Sequence, residues 1–90
     1  MSSLGYQVVE ALYVVREEFT EVGDFYSCRA IDLAVDIAES FGKIGLEADD
    51  YFNILINALK SDADNTSDDE GRAGFVRAVD LVSHLRREYV

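Results

Sequence analysis

The sequence predicts an all-α protein, a compact four-helix bundle folded as a single domain. Three observations indicate this fold class. The chain contains no proline, and apolar residues recur in four segments with a period of about 3.6 residues. Its 90 residues are enough for one hydrophobic core and too few for a second. The connections between the segments are short, so we expect either an antiparallel or an orthogonal packing of the helices.

The first predicted helix spans about residues 4–21, and the second spans about residues 25–41. One face of the first helix is apolar and should enter the core; it contains Leu4, Val8, Ala11, Leu12, Val15 and Phe19. The second helix has a wide apolar arc, which is typical of a central helix; the arc contains Tyr26, Ala30, Ile31, Leu33, Ala34, Val35, Ile37, Ala38 and Phe41. Gly23 should end the first helix, and Asp24 should cap the second.

The third predicted helix spans about residues 50–60, and the fourth spans about residues 68–89. One side of the third helix is apolar, with Tyr51, Phe52, Leu55, Ala58 and Leu59. The buried face of the fourth helix should contain Phe75, Ala78, Val79, Leu81, Val82, Leu85 and Tyr89. Residues 67–70 match a capping box, in which the Ser67 hydroxyl would accept a hydrogen bond from the backbone at the start of the fourth helix. Residues 62–66 are then interpreted as a charged joint between the third and fourth helices.

The stretch "SDADNTSDDEGR", residues 61–72, carries five carboxylates and matches part of the calcium-binding loop pattern. Asp62 and Asp64 fit the first two ligand positions of that loop. Thr66 stands where a third acidic or amide ligand belongs, Ser67 replaces the turn glycine, and Ala73 replaces the bidentate glutamate. The sharp bend at the glycine and the last carboxylate make such a site tight, so the sequence predicts no metal site here.

The composition is strongly acidic, with 18 acidic and 8 basic residues and a formal net charge of −10. A field of this sign repels nucleic acids and anionic membranes and attracts basic partners. No apolar run approaches the roughly 18 residues of a membrane span, and no signal peptide is visible. We therefore expect a cytoplasmic protein that binds neither nucleic acid nor membrane.

Catalytic residue types are scarce. His84 is the only histidine, and it lies one helical turn from both Asp80 and Glu88, a pattern typical of surface charge pairing. Cys28 is the only cysteine, which excludes an internal disulfide and a paired-cysteine metal or redox motif. We therefore predict that the protein is not an enzyme and needs no cofactor.

The second helix resembles, loosely, the helix of acyl carrier proteins that begins with a phosphopantetheine-bearing serine. The segment "SCRAIDLAVDIAESF" begins with Ser27 and has similar acidic and apolar positions. The resemblance would imply a carrier role, with Ser27 as the attachment residue. Tyr26 and Cys28 replace the flanking aspartate and leucine of that family's motif. A carrier or small-enzyme role therefore ranks third among the predicted functions.

The predicted function is a non-enzymatic protein-interaction module that binds a basic protein and inhibits or adapts it. Tyrosine and carboxylate side chains are suited to such a contact, because tyrosine supplies rigid contact area and carboxylates steer a basic partner. The candidate partner-binding residues are Tyr6, Glu10, Tyr13 and Glu17 on the first helix and Asp32, Asp36 and Glu39 on the second. The alternative is a homo-oligomeric structural subunit, such as a homodimer, that would bury the surplus apolar residues Val9 and Val14.

Overall fold

A computed structural model describes residues 3–89 and confirms the all-α fold class. Within that range the chain forms four helices: α1 (Ser3–Glu21), α2 (Phe25–Gly42), α3 (Ala48–Asn65) and α4 (Asp69–Tyr89). α2 packs mainly on α1 and α4, and α3 packs mainly on α4. α2 therefore has the central position that its wide apolar arc predicts. No helix between residues 3 and 89 combines the length and apolar character needed to cross a membrane.

Contacts between helix ends show that successive helices run in opposite directions. The Thr20 hydroxyl near the end of α1 lies 3.3 Å from the Cys28 thiol near the start of α2. The Tyr51 hydroxyl near the start of α3 donates to the Ala38 carbonyl near the end of α2, at 3.0 Å. Burial raises the pKa of Tyr51 to about 12, so its hydroxyl keeps the donated proton well into the alkaline range. The far ends of α1 and α2 also meet, since Ser3 and Leu4 line one cavity with Phe41 and Gly42, and these two helices therefore run in opposite directions.

The corner between α1 and α2 is built by hydrogen bonds that end one helix and begin the next. Gly23 has a φ of 75°, which allows its N–H to donate to the Thr20 carbonyl and the next N–H, that of Asp24, to donate to the Phe19 carbonyl. The Asp24 carboxylate in turn accepts from the Ser27 N–H at 3.0 Å. The prediction that Gly23 ends α1 and Asp24 caps α2 is confirmed.

α2 and α4 run parallel and approach each other closely. The Ser27 hydroxyl, near the start of α2, lies 2.8 Å from the carbonyl of Glu70, near the start of α4, and shares its single proton between that oxygen and the Asp24 carboxylate. Gly74 makes the approach possible, because a Cβ at that position would lie 2.8 Å from the Ala30 Cβ and 3.0 Å from backbone atoms of Ser27. Small residues on both helices therefore bring the two backbones together.

The third helix is longer than predicted, since α3 spans Ala48–Asn65 and not residues 50–60. The charged joint predicted at residues 62–66 is therefore wrong for residues 62–65, which are helical. Ala63 explains the difference: it continues the apolar face one turn beyond Leu59, and both residues are buried. At the end of the helix, the Thr66 hydroxyl donates to the Asp62 carbonyl at 2.7 Å.

The cap of α4 is Asp68, so the prediction that Ser67 forms a capping box is wrong. The Asp68 carboxylate accepts from the Gly71 N–H at 2.6 Å, and the Asp68 carbonyl accepts the N–H of Arg72. Gly71 makes room for this cap, because a Cβ there would lie 2.7 Å from the Asp68 carboxylate. The helix consequently begins at Asp69.

Four apolar residues lie elsewhere than predicted. Tyr89, expected on the buried face of the fourth helix, is exposed. Tyr26 and Leu33 were expected in the core, but both are exposed, because α1 and α4 cover less of α2 than its apolar arc would allow. Val9 was expected to be surplus apolar surface, but it is buried in the core. It lies two turns before Arg16, which contacts α2, and therefore on the flank of α1 that α2 covers. Val14 is exposed as predicted.

Candidate functional site

The α1 residues predicted to bind a partner are exposed along one outer stripe of the helix. Tyr6 and Tyr13 are 56% and 48% exposed, and they are two turns apart. Glu10 and Glu17 each follow one of these tyrosines by one turn and are also exposed. The helix thus presents alternating tyrosine and carboxylate side chains to solvent, while its opposite side enters the core.

The α2 residues predicted to bind a partner differ in their exposure and in their contacts. Asp36 is exposed and Glu39 is half-buried. Asp32 is exposed, but its carboxylate is engaged by Arg16 of α1 at two points, with Nε–Oδ1 and Nη2–Oδ2 distances of 2.6 and 3.3 Å. The hydrogen bond and charge of Asp32 raise the pKa of Arg16. Asp32 therefore serves first as a link between α1 and α2.

We define the α1–α2 face as the surface formed by Tyr6, Glu10, Tyr13, Arg16, Glu17, Arg29, Asp32, Asp36, Glu39 and Lys43. The helices that carry it are neighbours, as the prediction of a continuous face requires. Three of its members are basic, namely Arg16, Arg29 and Lys43. The two on α2 lie at helical spacing from Asp32 and Asp36 and so share one side of that helix with them. The face is therefore mixed in charge on α2, and its most acidic part is the outer stripe of α1.

A second surface was missed by the sequence reasoning, at the corner between α1 and α2. Phe25 and Tyr26 are 72% and 62% exposed, and Val22 is exposed beside them. Tyr26 and three acidic residues line a cavity of about 330 Å³; the acidic residues are Asp68, Asp69 and Glu70. The short connection between α1 and α2 could have indicated this surface from the sequence. So tight a corner leaves little neighbouring chain to cover the side chains that follow it.

Ser27 occupies a buried polar node between α2 and α4. Its side chain is fully buried, and its hydroxyl lies 2.6 Å from the Asp24 carboxylate and 2.8 Å from the Glu70 carbonyl. An attachment serine of a carrier protein has to be accessible to the enzyme that modifies it. The burial of Ser27 therefore argues against the carrier role that the resemblance of α2 implied, and it assigns Ser27 to the packing of the helices.

The hydrogen bonds between Asp24 and Ser27 should make the stability of the fold depend on pH. Hydrogen bonds from the Ser27 hydroxyl and N–H lower the pKa of Asp24, so the ionised carboxylate stabilises the folded state above its ordinary pKa of 3.8. This contribution is lost as the pH falls through the lowered folded-state pKa. Asparagine also caps helices well, so Asp24→Asn removes mainly the charge. We expect Asp24→Asn to be less stable than wild type at pH 7 in urea unfolding, with the difference shrinking below pH 4. A difference that is constant with pH would contradict the assignment.

Cys28 and His84 do not form a nucleophile and base pair. The Cys28 thiol is buried between α1 and α2, where it donates to the Arg16 carbonyl at 3.6 Å. His84 is exposed on α4, and its Nε2 lies 3.0 Å from the Glu88 carboxylate. The first residue thus belongs to the helix packing and the second to a surface pair.

The carboxylates of residues 61–72 are spread over different structural roles. Asp62 and Asp64 lie on α3, whereas Asp68 caps α4. In the part of the chain from residue 3 to residue 89, no three histidine, cysteine, aspartate or glutamate side chains are placed to hold one metal ion. The acidic stretch is therefore divided between a helix end and a helix start.

No protein-family model, curated protein or solved structure matches this chain. The surfaces described above are therefore the basis for inferring what the protein does. Two of them expose aromatic side chains next to carboxylates: the α1–α2 face and the corner formed by Val22, Phe25 and Tyr26.

Proposed function

We propose that the protein is a non-enzymatic interaction module that binds a basic protein through the α1–α2 face and thereby inhibits or adapts it. The observation that carries this proposal is the outer stripe of α1, on which the exposed Tyr6 and Tyr13 alternate with Glu10 and Glu17. Tyrosine is enriched among the residues that dominate binding energy, because it buries a large rigid ring and keeps a polar tip.

Charge and anchoring would have separate roles in this contact. The net charge of −10 would attract a basic partner and raise the association rate. The tyrosine rings, once buried in the complex, would slow dissociation. The two-point contact between Arg16 and Asp32 joins α1 to α2, so the face would bind without rearranging. We also propose a cytoplasmic location, which suits the buried free thiol of Cys28.

The test is a comparison of two charge-reversed variants with equal net charge. Glu10→Lys with Glu17→Lys changes the α1 stripe, and Asp64→Lys with Asp80→Lys makes the same change at exposed positions on α3 and α4. Each variant is used as bait for proteins of the host lysate, followed by mass spectrometry and by affinity measurement on the captured protein. We expect the first variant to lose about tenfold or more in association rate and the second to lose much less. Equal losses would mean that overall charge, and not the α1–α2 face, attracts the partner.

A second copy of the chain is the alternative occupant of the outer side of α1, because Val14 is exposed there together with Tyr13. Light scattering across a dilution series separates the two possibilities. A mass that stays monomeric at all concentrations would reject the homo-oligomer. A concentration-dependent dimer that Tyr13→Ala abolishes would favour it over the basic partner.

A further inference from the structure

We propose that the groove between α3 and α4 binds an anionic amphiphile, a molecule with one anionic head group and an apolar chain. The groove has a volume of about 490 Å³ and is lined by Ile56, Lys60, Ser83, Arg86 and Arg87. It lies on the side of the molecule formed by α3 and α4, so the inference does not depend on the proposed function of the α1–α2 face.

The charge of this groove is opposite to that of the whole molecule. The chain has 8 basic residues and a net charge of −10, yet Lys60, Arg86 and Arg87 line one groove, and none of the lining residues is acidic. Cations that converge in this way repel one another, and a bound anion relieves the repulsion. The negative end of the α4 dipole accounts for arginines in its last turn, but it does not account for Lys60, which comes from α3.

The three cations are not equally committed to contacts within the chain. The Arg86 Nη2 atom lies 3.4 Å from the Asp49 carboxylate, which holds this guanidinium beside the groove and neutralises part of its charge. Lys60 and Arg87 are exposed, and Ser83, which lines the same groove, is half-buried. The lysine, the second arginine and the serine hydroxyl therefore provide donors from two helices for one anionic head group.

An apolar groove continues from the basic one and gives the ligand its second property. This groove has a volume of about 300 Å³ and is lined by Lys60, Ala63, Asp64, Val76 and Val79. Lys60 lines both grooves, so the cationic part and the apolar part are adjacent. Val76 is 47% exposed, and an apolar chain lying along it would remove that surface from water. An inorganic anion would leave this part of the groove empty.

The ligand class is tested with decanoate, kept below its micelle-forming concentration, and ¹⁵N-labelled protein. We expect saturable amide shifts concentrated in residues 56–64 and 76–87. Inorganic phosphate lacks the apolar chain, and decanol lacks the charge. Each should therefore bind at least about tenfold more weakly than decanoate. Shifts that do not saturate, or phosphate binding as tight as that of decanoate, would overturn the proposal.

Variants show whether the named residues bind the probe. Lys60→Gln with Arg87→Gln should weaken decanoate binding by about tenfold or more, since two charge-assisted contacts are lost. Arg29→Gln with Lys43→Gln on α2 removes the same charge outside the groove and should change the affinity by about twofold or less. Val76→Ser changes no charge and should weaken decanoate but not phosphate. Equal weakening by both charge variants, or an unchanged affinity in Val76→Ser, would reject the assignment.

Discussion

Gly74→Ala is expected to lower the free energy of unfolding by about 2 kcal/mol, although alanine favours a helix by about 1 kcal/mol over glycine. A Cβ at Gly74 would lie 2.8 Å from the Ala30 Cβ and 3.0 Å from the Ser27 Cα and carbonyl oxygen. Two of these three atoms belong to the backbone of α2 and cannot rotate away. The new methyl group therefore has to separate α2 from α4, which stretches the hydrogen bond between Ser27 and Glu70.

Chemical denaturation followed by circular dichroism measures this effect. The variant Ala30→Gly removes the nearest obstructing atom, so Gly74→Ala should cost less in that background than in wild type. A double-mutant cycle isolates this coupling from the helix propensities of the two residues. An unchanged or increased stability of Gly74→Ala would show that α2 and α4 are not in close contact at this position.

The close contact of α2 and α4 also shows what the sequence could not predict. The four helices and the corner at Gly23 and Asp24 depend on local patterns, such as the 3.6-residue period and helix-ending chemistry, and they were predicted from those patterns. The contact between Ala30 and Gly74 depends instead on which helices become neighbours. Periodicity shows that a helix has an apolar face, but it does not show which helix covers that face.

The same distinction applies to the candidate surfaces. Tyr6 and Tyr13 were predicted to be exposed because they lie opposite the apolar face of a single helix, and they are exposed. The pairing of Arg16 with Asp32 was not predicted, because it requires the register of two helices. Tyr26 was predicted in the core for a related reason, since an apolar arc wider than its neighbours can cover leaves its edge in solvent.

The basic groove escaped the sequence reasoning because its residues are far apart in the chain. Arg86 and Arg87 lie near the end of the fourth predicted helix, and Lys60 lies at the end of the third. The antiparallel packing of α3 on α4 brings these three residues together. The end of α3 was misjudged because Ala63 is a single apolar residue among Asp62, Asp64 and Asn65, and burial of its face outweighed the polarity of its neighbours.

Phe52→Ala is expected to cause the largest loss of stability, about 4 kcal/mol. Phe52 is fully buried, and its ring makes edge-to-face contacts with Tyr51 and Tyr89, each with a centroid distance of 5.9 Å. Tyr89 is the last residue of α4, so Phe52 holds the end of α4 against the start of α3. Truncation to alanine removes these contacts and leaves a cavity between the two helices.

Phe52→Leu is the matched control, since it keeps an apolar side chain of similar volume and should cost less than about 1.5 kcal/mol. Guanidinium unfolding, followed by circular dichroism at about 222 nm, gives the free energy of unfolding of each protein. It should be highest for wild type, lower for Phe52→Leu and lowest for Phe52→Ala. Domains of this size have total stabilities of about 5–15 kcal/mol, so the alanine variant should still fold in the cold. A loss below about 1 kcal/mol for Phe52→Ala would contradict its burial. The end of α4 also carries Arg86 and Arg87, so this variant should weaken decanoate binding even though Phe52 does not line the groove.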